Sequence, residues 1–405
     1  MFGKASIILV IGFSMIFLLY QQNLINSQTG SVVTYSEYYS KMAARDLAVA
    51  AANLACNQFF IDPEWKSNYT NTSYGGGSIT ITVTENSESQ KEILAVSRLG
   101  AYNDTIAILL STSNFARFAY YAGIAPGNIY YVTGDTVWGP MHIEGHLNVK
   151  GSPVFMGKVT SSKGIKYGSS SSSPVFNGGY ESGVSLTIPD DLNDVYAAAA
   201  SQGKVFSGYS DVWLEFLNNG TVNYKTSSSA SWTNASISSL TSNGVIAVDK
   251  GNLHIKGKVK GQVTVYAGSS SGAGSGNIYI DDDITYSGNP LDPSCDDMLG
   301  IVATNNVIIA DVPETKGDVT IHGSIFNFGG GITAENLNSL GKEGSIRLVG
   351  GLIQRQGQLV NVYNENDNII LKGYSLNMRY DNRLLLNTPP EFPATGSYEI
   401  LSWRE

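Results

Sequence analysis

The sequence predicts a mainly β chain: a right-handed parallel β-helix carried on a long N-terminal transmembrane α-helix, with a small α/β collar between them. Three observations predict it. An uncharged apolar run opens the chain, an alanine-rich helical pattern continues it to about residue 60, and a glycine-spaced alternating pattern returns through the remainder. Composition agrees: 42% of the 405 residues are hydrophobic, enough for a sizeable core, and 44 glycines suit a β-protein with many turns. The net charge of −9 argues against a nucleic-acid partner, because phosphate binding needs a basic stripe and none occurs. Cys56 and Cys295 are too few for a disulfide framework or a thiolate metal site, although they could pair in an oxidising compartment.

The anchor comes first. Ala5 to Tyr20 is apolar and uncharged, and no charge occurs between Lys4 and Glu37. A helix from Lys4 to Gln28 would be roughly 37 Å long, enough to cross a bilayer. A cleavable secretory signal is the alternative, but no A-x-A-like site follows. The membrane is therefore an expected partner, with the bulk of the chain outside the cytoplasm. Tyr35, Tyr38, Tyr39, Met42, Leu47, Ala50, Ala51 and Leu54 recur at helical spacing, so the helix should run to about residue 60, with Gly30 as a point of bending.

After Pro63 a polar loop ends at Gly75–Gly77. Strands are expected at Ser78–Thr84, Glu92–Arg98 and Thr105–Leu110, with a short helix at Asn114–Ala122 closing the collar. Beyond Pro126 a Gly-x-Φ-x-Φ-x-Gly-x-Φ pattern, with Φ apolar, starts at Gly139, Gly251, Gly317 and Gly344. A fifth copy starts at Gly276, with Asp282 in place of the second glycine. Starts at Gly251 and Gly276 lie 276 − 251 = 25 residues apart, and those at Gly317 and Gly344 lie 344 − 317 = 27 apart, about one coil of a solenoid. Alternation places one set of side chains inside and the other outside, and the second glycine fits a corner with no room for a side chain. Two segments break the rhythm: a helix opening at Pro189-Asp190-Asp191-Leu192, and a hairpin of Asp211–Leu217 and Thr221–Lys225 around Asn218-Asn219-Gly220. The expected organisation is an anchor at 1–30 (with a short leader at 1–3 as an option), a stalk at 31–62, a collar at 63–125 and a β-helix at 126–405. The β-helix would hold an insertion at 189–226 and a C-terminal cap at 374–405.

Candidate chemistry is sparse. His142, Glu144 and His146 alternate and should project from one outer face, where the trio could bind zinc; an outward polar row continued by Asn148 and Lys150 is the plainer reading. Asp281, Asp282 and Asp283, with Asp292, Asp296 and Asp297, could bind calcium through oxygens, and Asp311 and Asp318 could join them; no EF-hand spacing is present, and a solvated acidic loop is the simpler expectation. No cofactor is expected. Arg383, ahead of Pro389-Pro390, reads as a structural arginine pinning the C-terminal tail, and Trp403 as part of a cap. No Ser-His-Asp motif, P-loop or dinucleotide fingerprint occurs, so catalysis is not expected.

The apolar half-helix running straight into an amphipathic alanine-rich half resembles the N-terminus of type IV pilins and related minor pilins. The resemblance implies processing between Gly3 and Lys4. Lys4 would then be the first mature residue, where Phe or Met is usual, and Ile8 stands where such proteins carry glutamate. Three stretches, Val132–Ser162, Asp297–Ile309 and Tyr380–Glu405, resemble a family of bacterial pilin-like surface proteins with a β-helix behind the helix. This resemblance implies a structural or adhesive subunit whose partners are other pilin-like subunits, further copies in a filament, or surface glycan. An envelope polysaccharide-active enzyme or glycan-binding module on a β-helix is the alternative. Against the enzyme, Gly145-His146 lacks the following glycine of the polygalacturonase Gly-His-Gly motif.

Overall fold

The computed structural model describes residues 2–66, 69–87, 90–124, 127, 129–269, 276–292, 294–364 and 369–405. The protein is mainly β with one long N-terminal helix. It divides into two compact units, Met1–Thr112 with Ser397–Glu405, and Ser113–Gly396.

In the first unit, α1 (Phe2–Ile61) is a single helix of 60 residues that continues through Gly30 without interruption. Its sequence has two halves, and so does its packing. The apolar residues from Ile7 to Ile25 are exposed, as are Tyr35, Tyr38 and Tyr39. From Ala44 onward a stripe at helical spacing, Leu47, Ala48, Ala51, Ala52, Ala55 and Phe59, is buried. It packs on an antiparallel sheet of Thr72–Tyr74, Gly77–Ser87, Gln90–Leu99 and Tyr102–Asn114, with Ala394–Arg404 at its far edge. Inward Ile79, Ile81, Ile93, Ala95, Ile106 and Ile108 meet the helix, and the alanines let the two backbones come close. Ser97 Oγ donates to the Ala44 carbonyl at 2.6 Å, and Arg45 pairs with Glu405. The central strand and the C-terminal edge of the sheet are thus tied to the helix.

In the second unit, most strands pair in parallel with a strand one turn of chain away. One sheet orders Lys204–Ser207, Val245–Asp249, Gln262–Gly268 and Met298–Ala303, followed by the later halves of Val319–Asn327 and Lys342–Gln356. Next comes Tyr120–Ile124, then Met141–Ile143, Val159–Ser161 and Tyr180–Ser182. The sheet is continuous in space but not in sequence: residues 120–182 stack onto the end of 204–356. The chain therefore returns along the whole sheet between Ser182 and Lys204. That return, including α2 (Asn193–Ser201), covers the sheet's outward face through Ile188, Leu192, Val195 and Ala199. The tail covers it too, through Tyr380, Leu384 and Phe392.

The register rows explain which outward positions are apolar. Val205, Ala247, Tyr266, Val302, Phe326, Ile353, Tyr121, His142, Thr160 and Glu181 form one row, each the partner of the next. The row is hydrophobic from Val205 to Tyr121 and turns polar at His142. On the inner side Ile246, Val265, Ile301, Ile325 and Leu352 stack as a buried ladder.

Several expectations are corrected. Asn114–Ala122 is not a helix: Phe115–Arg117 is one short 3-10 turn, and Tyr120–Ile124 is a strand held between two others. Partner strands on both sides outweigh local preference. The hairpin is present, with Asp211–Phe216 antiparallel to Thr221–Lys225, yet its first strand also pairs in parallel with Asn252–Gly257 and so belongs to the stack. Ile369–Arg379, within the span expected as a cap, also pairs in parallel with Lys342–Gln356. Trp403, expected as part of a cap, packs on the first unit's own helix–sheet core, in the cluster that also holds Tyr398.

The glycine pattern is a local strand–corner–strand unit, not a fixed position along the paired strands. The copies at Gly317 and Gly344 are in register throughout, with Gly323 facing Gly350, whereas those at Gly251 and Gly276 are in register only as far as Ile255 and Ile280. Both corner glycines have φ in the left-handed half of the map, 154° and 150°, and a Cβ on Gly350 would collide with the Gly323 carbonyl. In the copy at Gly251, Gly257 pairs instead with Ile284 and not with Asp282. Two extra residues bulge out there, which carries Asp281–Asp283 away from the ladder. The Gly268–Gly276 loop lies outside the described residues at 270–275.

Candidate functional site

The three residues expected on one outer face are separated by the corner at Gly145 (φ 139°), where the strand and its alternation end. His142 is fully buried, and His146 is exposed and lines a different part of the surface. The His142 ring stacks on Tyr121 at 5.3 Å between centroids, its Nδ1 meets Thr160 Oγ1 at 2.7 Å and its Nε2 meets Glu144 Oε2 at 3.0 Å. Glu144 in turn accepts from Ser185 Oγ (2.8 Å) and from the Leu186 amide (3.0 Å), while the Tyr121 hydroxyl donates to the Leu186 carbonyl. What was expected as a solvent-facing row is a clamp that fastens the returning chain to the sheet. Burial pushes the His142 imidazole below its ordinary pKa, against the opposing pull of Glu144. Burial alone would raise the Glu144 carboxyl, but the hydrogen bonds from His142, Leu186 and Ser185 outweigh it and hold the carboxyl below its usual range. Tyr121 is pushed up, first by burial and then by the Glu144 charge, so it stays a donor.

The acidic residues do not converge. Asp281 is bound by His254 Nδ1 at 2.9 Å, Asp283 accepts from the Thr320 amide at 2.6 Å, and Asp282 accepts from the Asp283 amide at 2.7 Å. Buried Asp297 accepts from the amides of Gly261 and Gly288, each at 2.7 Å. Asp292 closes a turn onto Ser294, Asp311 meets Lys316, and Asp318 meets Arg347. Among the described residues no three His, Cys, Asp or Glu side chains are grouped to hold a metal. Around His254 the rings of Trp213 and Tyr279 stack at 4.8 and 4.7 Å across the paired strands Asp211–Phe216, Asn252–Val259 and Ile278–Tyr286, with Asp211 and Glu335 beside them. Arg383 pairs with Asp381 at 2.7 Å, donates to the Cys295 carbonyl and covers Tyr286, tying the tail to the loop before Met298. Cys56 and Cys295 are free thiols. Gly3 and Lys4 lie in the first turn of α1, and their side chains fall outside the described residues.

An indentation that the sequence did not announce lies where residues 120–182 meet 204–379. Tyr131–Val132 and Thr136–Val137 end two separate three-stranded sheets, although Tyr120–Ile124 in the same coil is paired on both sides. The two stacks, 120–182 and 204–379, join along the sheet that holds Tyr120–Ile124 and part where these two short sheets end. A cavity of about 560 Å³ opens in the gap, and a second of about 700 Å³ adjoins it across Trp138, Met378 and Tyr380.

The architecture defines a class: a mainly β chain with one N-terminal helix long and apolar enough to cross a membrane. No protein-family model matches the chain, and no curated protein does. Among solved structures it is similar to the competence-associated pilin ComZ from Thermus thermophilus, at 10% identity over 90% of this chain and 97% of that one, with a TM-score of 0.40.

Proposed function

We propose that the protein is a membrane-anchored, pilin-like structural subunit that presents a right-handed parallel β-helix outside the cytoplasm. One observation carries the reading. The apolar first half of α1 is exposed, while the alanine stripe of its second half is packed on the chain's own antiparallel sheet. Exposed apolar surface on that scale needs a covering, and lipid or the helices of like subunits supply one of the right length. The β-helix reading rests on the parallel registers one turn of chain apart and on the stacked corner glycines. The subunit would meet other pilin-like subunits through α1, and surface glycan or neighbouring subunits through the second unit.

The role is structural and not catalytic. The enzyme alternative would draw on Asp281–Asp283, and a turnover assay on uronic-acid polymers, with those three replaced, tests it; cleavage that disappears on replacement would overturn the structural role. Alkaline carbonate extraction with protease shaving of intact cells tests the anchoring. The protein should stay with the membranes and its β-rich unit should be digested from outside; release by carbonate, or protection from the protease, would contradict it.

A further inference from the structure

The wedge between the two stacks has the chemistry of a ligand site. Its mouth carries Trp138, 56% exposed, with Tyr130 and Tyr131 along one wall. A half-exposed tryptophan beside tyrosines leaves ring faces and edges open to a partner. At the base lies Gln354, only 5% exposed. Its Nε2 donates to the Tyr120 hydroxyl at 3.1 Å, and its buried Oε1 has no partner among the described residues. Gln354 is part of the cavity lining. A buried amide atom left without a partner is costly and is relieved by a ligand group that hydrogen-bonds to it. Gln358 and Asn148 add further amides to the lining.

The lining also selects by charge and shape. Among the described residues no lysine or arginine borders the cavity that holds Gln354, so no permanent positive charge there favours an anion. The Asp135 carboxylate accepts from the Val132 amide through one of its oxygens, at 2.7 Å. An extended peptide joining by strand addition would need a long free edge, and Thr136–Val137 offers only two residues. The volume of about 560 Å³ falls within the range of sites that enclose small ligands. Aromatic faces meet the C–H faces of a sugar ring, and neutral amides meet its hydroxyls.

From these features we infer that the wedge binds a neutral oligosaccharide, seated on Trp138 and hydrogen-bonded to Gln354. The site belongs to the second unit alone, so it holds whether or not the chain is processed or assembled as a pilin.

The test is calorimetric titration of the full chain in an amine-oxide detergent, which carries no sugar headgroup. The probes are chitotetraose, cellotetraose, maltotetraose and mannotetraose, with tetragalacturonate and an unrelated valine–threonine peptide for comparison. At least one neutral tetraose should bind, and Trp138→Ala should weaken it at least about tenfold. Trp232→Ala, at another exposed tryptophan, should leave binding unchanged. Gln354→Met keeps the side chain's size while removing its polar end, and should also weaken binding. The inference is overturned if no neutral tetraose binds up to about 10 mM. It is equally overturned if the tetragalacturonate or the peptide binds in their place, or if Trp138→Ala in a folded protein changes nothing.

Discussion

Replacing Glu144 with alanine should free the returning chain from the sheet. In the native protein the carboxylate takes three hydrogen bonds, from His142, Ser185 and the Leu186 amide. Removing it strands a fully buried imidazole nitrogen and a half-buried backbone amide, and each such loss costs about 1–3 kcal/mol. Part of this is recovered by water reaching Ser185, which is exposed, so about 2 kcal/mol of local stability is the expected loss. That corresponds to about thirtyfold faster exchange of the Leu186 amide hydrogen, since exchange follows the local opening equilibrium. The assay is hydrogen exchange read by mass spectrometry on peptides covering residues 184–192. The effect should be confined to the return, because the strands beneath it keep their own ladder bonds. The sign of the pH dependence follows from both shifts. With His142 held below its ordinary pKa of about 6.5, the unfolded chain binds the extra proton first, so stability falls as pH drops below that value and on through the folded pKa. Glu144, also lowered, extends the loss below its ordinary value of about 4.5. Above neutrality neither group contributes a slope. Unchanged exchange at Leu186 in a folded Glu144→Ala protein would refute the clamp.

Further outcomes follow from the same geometry. Gly350→Ala forces a Cβ into the Gly323 carbonyl at a φ that L-residues avoid, and should cost at least about 2 kcal/mol in urea unfolding. Gly341→Ala, where the new Cβ meets nothing closer than 3.9 Å, should be within about 0.5 kcal/mol of the parent. Arg383→Ala leaves Asp381, 1% exposed, without its ion-pair partner, and should cost about 3–5 kcal/mol, seen as early thermal release of the tail. The Cys56 thiol, raised by burial, should alkylate more slowly at pH 8 than a free thiol of ordinary pKa.

Much of this was legible in the sequence, and the failures have a common cause. The uncharged run before Glu37 and the alanine stripe from Ala44 announce α1, because helical periodicity is local. Alternation around Gly251 and Gly317 announces strands for the same reason. What no local pattern could announce is that Tyr120–Ile124 stacks on Leu352–Gln356, more than two hundred residues away. Three misreadings follow from that one long-range pairing. Tyr120 and its neighbours looked like the end of a helix, His142 looked solvated, and the cleft at Trp138 was invisible. His142 sits under the return because the return must run back along the sheet. Trp138 stands at a gap because the two stacks share one sheet only. The aspartates at 281–283 looked like one cluster, but the bulge distributes them to three different partners.

The central claim is that α1 anchors the chain as a pilin-like subunit, and the N-terminal mass of the protein extracted from membranes tests it most directly. Cleavage after Gly3, leaving Lys4 as the first residue, is the predicted result. A peptide that still begins at Met1, or one that begins near Ser27, would contradict it.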